Sequence, residues 1–164
     1  MSEQEPTRIL FVCLGNIVRS PLAESLFRHL AEEAGLGDKY VVDSAGTASY
    51  HVGDPPDRRM RQVAARRGLE YGGSGRQVHP DDFHEFDLLV PMDGSNYADL
   101  MAIAPPAART KVRLMREFDP EAGEDKDVPD PYYGGPEGFE HAYDLVERSA
   151  RELLRRLEDG EVGA

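Results

Sequence analysis

The stretch Ile9-Leu10-Phe11-Val12-Cys13-Leu14-Gly15-Asn16-Ile17-Val18-Arg19-Ser20-Pro21-Leu22-Ala23 decides how the rest of the chain is read. It opens on four consecutive apolar residues, the pattern of a strand buried on both faces of a parallel sheet. It closes on Pro21, suited to a first helical turn, after which Leu22, Ala23, Leu26, Phe27, Leu30 and Ala31 recur at helical spacing. Gly35 or Gly37 stops that helix. Tyr40-Val41-Val42, running into Asp43-Ser44-Ala45-Gly46, supplies a second strand, and a strand-helix-strand unit of this kind joins parallel strands through a right-handed crossover.

Outward from this unit the alternation continues. A helix is expected from Asp57 to Arg67, with Met60, Val63 and Ala64 on one face and Gly68 as its stop. Gly72-Gly73-Ser74-Gly75 reads as a flexible loop, Leu88-Leu89-Val90 as a third strand, and a short helix starts near Ser95. Lys111 to Met115 is expected as a fourth strand, short and partly charged. Phe139, Tyr143, Val146, Ala150, Leu153 and Leu157 mark a C-terminal helix. The fold class is α/β: an open four-stranded parallel sheet, order 2-1-3-4, with helices on both faces. Ligands of such sheets bind at the carboxyl ends of the strands, so the turn after strand one is the place to look for a site.

The 164 residues suit one domain, 1–164, with tails at about 1–6 and 159–164 expected to be flexible. A net charge of −12 speaks against nucleic-acid and anionic-membrane partners, which clustered Lys and Arg would hold. No apolar run approaches the roughly 18 residues of a membrane span. Met1 to Thr7 is acidic and polar without a signal core, which leads to the expectation of a cytoplasmic protein. One cysteine excludes an internal disulfide and a cysteine-rich metal cage, and His29, His51, His79, His84 and His141 are scattered, so neither metal nor cofactor is expected.

Cys13 and Arg19 are separated by five residues in the strand-to-helix turn. Wrapped into a loop, the N–H groups of Leu14, Gly15, Asn16, Ile17 and Val18 can face one centre and, with the helix N-terminus, make a nest for a phosphate dianion. Arg19 adds a planar fork that matches two phosphoryl oxygens. A thiol with an ordinary pKa near 8.5 is only about 3% thiolate at pH 7, and lowering it by about three units takes roughly 4 kcal/mol. Such a nest, a helix dipole and Arg19 together could meet that demand, and Ser20 could donate a hydrogen bond to the sulfur. On spacing alone Cys13 could equally be a small buried residue and Arg19 a surface cation; the strand before and the Ser-Pro helix start after favour the site.

With those residues in view, Val12-Cys13-Leu14-Gly15-Asn16-Ile17 and Arg19-Ser20-Pro21 resemble the phosphate-binding loop of the low-molecular-weight protein tyrosine phosphatases. The likeness extends in order through Asp43-Ser44-Ala45-Gly46-Thr47, Met92-Asp93, Ser95-Asn96 and Asp130-Pro131-Tyr132-Tyr133-Gly134. It implies hydrolysis of phosphotyrosine and small aryl phosphates through a phosphocysteine intermediate. Cys13 would be the nucleophile, Arg19 the phosphate clamp and Asp130 the general acid, then base. Asp130 also lies in Val128-Pro129-Asp130-Pro131, where stiff neighbours can hold a carboxylate in place. Asn16 and Ser44 would hold the loop in shape, and Asp93 would brace it or cap the following helix. Leu14, Ile17, Tyr50, Tyr132 and Tyr133 would wall a slot for an aromatic ring. The implied partner is a tyrosine-phosphorylated protein, such as a bacterial tyrosine kinase or its substrates, acted on by a monomer or weak dimer.

The chain departs from that family at three places. Val18 stands where most members have a second cysteine, able to trap the oxidised nucleophile as a disulfide. Gly73-Ser74-Gly75 stands where many have a histidine just before the segment matching Arg76-Gln77, and His79 is in another register. Pro91 replaces a small or apolar residue, a change without a functional account in the sequence. Rival readings are an arsenate reductase served by an external thiol, a phosphoarginine phosphatase, whose usual residue at the position of Ile17 is threonine, and a phosphotyrosine-binding module without catalysis. Retention of Cys13, Arg19 and Asp130 together speaks against the last.

Overall fold

A computed structural model describes residues 5–132 and 134–162. Strand β1 (Thr7–Cys13) lies between β2 (Tyr40–Gly46) and β3 (Leu88–Pro91), parallel to both, in the order β2-β1-β3. Val12 stands opposite Ala45 on one side and Pro91 on the other. Side chains alternate across the sheet. Ile9, Phe11 and Cys13 therefore enter one hydrophobic cluster, and Leu10 and Val12 a second.

The first cluster is covered by α1 (Arg19–Glu33), α2 (Arg58–Arg66) and α5 (Pro136–Glu158), the second by α3 (Asp82–Glu85) and α4 (Gly94–Ile103). Helices thus flank both faces, as expected. Gly35 ends α1 at φ 75°, its N–H bonded to Glu32 O and that of Leu36 to Ala31 O, a Schellman closure that needs the left-handed conformation glycine adopts freely. Val162, the last described residue, is buried in the first cluster, so residues 159–162 turn back onto the body.

The expected fourth strand is not formed. Lys111 closes a 3-10 turn (Pro106–Lys111), Met115 opens another (Met115–Glu117), and the segment between touches the sheet through one parallel bridge, Leu89 with Val112. Arg113 N–H donates to Leu89 O at 3.0 Å. In that register the next ladder bond would come from the N–H of residue 91, and proline has none. Leu114 N–H turns instead to the Glu117 carboxylate at 3.1 Å. Among the described residues the sheet has three strands, with the 111–115 segment in the place of the fourth. Pro91 thereby gains a structural role: its missing donor faces the open edge of β3, while β3 keeps its bonds to β1 on the other side, where Met92 N–H meets Val12 O at 2.9 Å.

Candidate active site

Cys13 is the last residue of the central strand, and Arg19 and Ser20 are the first two of α1. The turn between them is tied to the strand beside it. Thr47 N–H donates to Cys13 O and Ala48 N–H to Leu14 O. Gly46 makes this approach possible, since a Cβ there would lie 2.7 Å from Leu14 O. Val18 at the start of α1 provides no side-chain cap, so the first-turn N–H groups are not spent on one.

Inside the turn, Asn16 is the one non-glycine among the described residues at positive φ, 58°. Both ends of its amide are used: Nδ2 donates to Ser20 Oγ at 2.9 Å, and Oδ1 accepts Arg76 N–H at 2.9 Å. Asn16 thus supplies Ser20 with a donor, leaving the Ser20 proton for another acceptor. Cys13 Sγ lies 3.0 Å and Ala45 O 3.5 Å from Ser20 Oγ, so for the ionised thiolate, which can only accept, the sulfur is the nearer acceptor for the hydroxyl.

Arg19 is 2% exposed, and one edge of its guanidinium is already fixed. Nη1 donates to Asp93 Oδ2 at 2.6 Å and Val128 O at 2.9 Å; Nη2 stands 3.5 Å from Asp130 Oδ2. That leaves the Nε–Nη2 edge for an anion beside Cys13. Asp93 places one oxygen on Arg19 and caps α4 with the other through Asn96 N–H at 2.8 Å. Asp130 accepts Tyr132 N–H at 3.1 Å with one oxygen.

Cys13, Leu14, Gly15, Ile17, Val18, Arg19, Tyr50, Asp130 and Tyr132 line one cavity of about 100 Å³, joined by His51. Its thiol, guanidinium and carboxylate share a mouth rimmed by exposed apolar surface at Leu14 and Tyr50. Tyr133 lies outside the described residues. Ser44 is elsewhere: its hydroxyl donates to Glu24 at 2.7 Å, and it lines a second, polar cavity behind the turn with Asn16, Asp43 and Ser74. The Arg76 backbone, not Ser44, completes the hold on Asn16. Arg76 is itself anchored by Asp43 and Asp82.

Sequence reasoning missed His51 and Arg59. The His51 ring centroid is 6.0 Å from that of Tyr132, and the Arg59 guanidinium lies 5.1 Å from the Tyr132 ring while paired with Asp57. Neither had a signal beyond adjacency, His51 to Tyr50 and Arg59 to the start of α2. No group of three or more His, Cys, Asp or Glu among the described residues is placed to hold a metal. No helix among them is long and apolar enough to cross a membrane.

Comparison with known proteins bears on this geometry. A family model described as low molecular weight phosphotyrosine protein phosphatase matches residues 8–162. The chain is 44% identical over 154 residues to a low molecular weight protein-tyrosine-phosphatase of Streptomyces coelicolor, covering 93% of this chain and 94% of that one. Among solved structures, a protein tyrosine phosphatase from Entamoeba histolytica superposes with TM-score 0.91 at 41% identity, covering 94% of this chain and 99% of that one. A Drosophila arginine phosphatase superposes with TM-score 0.85 at 35% identity, covering 92% and 97%.

Proposed function

The chain belongs to the low molecular weight phosphotyrosine protein phosphatase family, and we propose that it hydrolyses phosphotyrosine on proteins, and small aryl phosphates, through a phosphocysteine intermediate. The observation that carries this reading is the convergence of Cys13 Sγ, the open edge of Arg19 and Asp130 on one cavity walled by Tyr132 and Ile17. A binding module needs an anion cradle but neither a nucleophile nor an acid.

In this reading the phosphate seats in the N–H groups of the turn with two oxygens on Arg19. Cys13 thiolate attacks phosphorus, forming the S–P bond as the P–O bond to the phenol breaks. Asp130, protonated, gives its proton to the departing phenolate oxygen. Water then attacks phosphorus, Asp130 takes a proton from it, the S–P bond breaks, and inorganic phosphate and the Cys13 thiolate are released. Ser20, aimed at the sulfur, stabilises the thiolate both before attack and on its departure. General acid–base help of this kind is typically worth about 10²- to 10⁴-fold.

A second reading is favoured by the likeness to the arginine phosphatase, a phosphoarginine substrate in the same slot. Ile17, apolar at the cavity wall, favours the aryl group instead. The deciding experiment assays p-nitrophenyl phosphate, phosphotyrosine, phosphoserine and phosphoarginine peptides, and arsenate with an external thiol, using wild type, Cys13→Ser and Asp130→Ala. The expected result is a preference for phosphotyrosine, abolished by Cys13→Ser. Activity that survives Cys13→Ser refutes the mechanism, and a preference for phosphoarginine replaces the substrate.

A further inference from the structure

Asp130 sits between Pro129 and Pro131, neither of which has an N–H to tether the loop. Its carboxylate takes the Tyr132 N–H and stands 3.5 Å from Arg19 Nη2, but its backbone is placed by the stem before it, residues 127 and 128, and that stem is gripped from two sides. Val128 O accepts from Arg19 Nη1 at 2.9 Å, and the preceding carbonyl, Asp127 O, accepts from Arg116 Nη1, also at 2.9 Å. Val128 N–H meets Met92 O at 2.8 Å, and Asp127 Oδ1 takes Gly94 N–H at 2.8 Å.

Arg116 is itself immobilised. Its side chain is 8% exposed, and its Nε donates to Asp119 Oδ2 at 3.1 Å. Asp119 is buried and held in a fork by Arg148 of α5, Nε to Oδ1 at 2.7 Å and Nη2 to Oδ2 at 2.9 Å. A buried ion network is a poor device for stability alone, because desolvation offsets most of its attraction. It is a good device for geometry, because planar guanidinium and carboxylate groups fix each other's orientation. Here the network connects the C-terminal helix to the carbonyl three residues before the acid.

We infer that Arg116, locked by Asp119 and Arg148, is a positioning residue that sets where Asp130 stands over the cavity; this rests on the reading of Asp130 as the general acid. Arg116 touches no reacting atom. Its loss leaves Cys13 and Ser20 in place and Arg19 still held by Asp93, but lets the acid wander, so the cost falls mainly on substrates that need protonation of their leaving group.

The test compares wild type, Arg116→Met, Arg116→Lys, Asp130→Ala and the Arg116→Met/Asp130→Ala double variant on aryl phosphates graded from p-nitrophenyl to tyrosine-like leaving groups. Arg116→Met should lower kcat/KM about tenfold to a hundredfold for the poorest leaving group and by less than about threefold for p-nitrophenyl phosphate. Arg116→Lys should recover part of that loss. In the Asp130→Ala background Arg116→Met should add little, since a misplaced acid costs nothing once the acid is gone. Equal losses for all leaving groups, or the same loss in both backgrounds, would overturn the proposal and leave Arg116 a structural residue. If Arg116→Met does not fold, the leaving-group dependence of Arg116→Lys decides, a wild-type profile counting against. An Asp130→Ala variant with a wild-type profile would instead sink the reading of Asp130 itself.

Discussion

Asn16 holds an unfavourable backbone so that its side chain can serve the sulfur through Ser20. An L-residue at φ 58° costs on the order of 1 kcal/mol, and asparagine tolerates it better than most. Asn16→Ala removes the donor to Ser20 and the acceptor for Arg76 N–H together, freeing the Ser20 hydroxyl to turn away. The expected result is a kcat about tenfold or more below wild type, with slower iodoacetate alkylation of Cys13 at neutral pH; an unchanged alkylation rate would separate the Asn16–Ser20 pair from thiolate stabilisation. Val18 bears on the same sulfur differently. It lines the cavity with Cys13, the chain's single cysteine, and offers no thiol to a sulfenic acid formed there. Prolonged peroxide should leave a fraction of wild-type activity that dithiothreitol does not restore, and Val18→Cys should shrink that fraction. Full recovery of the wild type would count against this account.

At the scale of elements, some pieces were legible because local chemistry fixes them and others were not. The strand, turn and helix around Cys13 announce themselves through an apolar run, a Cys-to-Arg spacing and Pro21, and α5 through its long apolar stripe. Lys111 to Met115 looked like a strand by composition, yet whether it pairs depends on the neighbour offering an N–H, and Pro91 is twenty residues away in sequence. The family resemblance implied that Ser44 helps hold the turn, but its hydroxyl donates to Glu24 on α1. His51 reaches the cavity only because the 47–57 segment folds over the turn, and Arg59 reaches the Tyr132 ring only because α2 packs behind it, neither of which a local pattern encodes. The start of α2 shows how a cap carries over into the site: Asp57 accepts Arg59 N–H at 2.8 Å and pairs with the guanidinium that lies over Tyr132. Asp57→Ala should lower stability by about 1 kcal/mol, read as a shifted urea midpoint at constant slope. It should also alter KM for phosphotyrosine more than kcat, because it unpins a residue stacked on the cavity wall; a stability loss with unchanged KM would confine Asp57 to capping.

Across the whole molecule, acidic residues outnumber basic ones 31 to 19, while Arg19 and Arg116 are drawn inside and paired. Asp119 is the node of that interior charge. Burial acts to raise its carboxyl, but the Arg148 fork, Glu121 N–H and Arg116 more than offset this and bring it down to about 2 from an ordinary 3.8. A carboxyl lower in the folded than the unfolded state adds stability that is fully present above the unfolded value and lost as pH falls through the folded one. The difference is worth about 2 kcal/mol above pH 4, draining away between about pH 4 and 2. Asp119→Asn removes the charge at every pH and leaves Arg116 and Arg148 facing a neutral group. Denaturant unfolding from pH 7 to 2 should therefore show a wild-type advantage that is flat down to about pH 4.5 and narrows below pH 4. An advantage that persists undiminished at pH 2 would show that Asp119 acts there through shape and hydrogen bonding rather than charge.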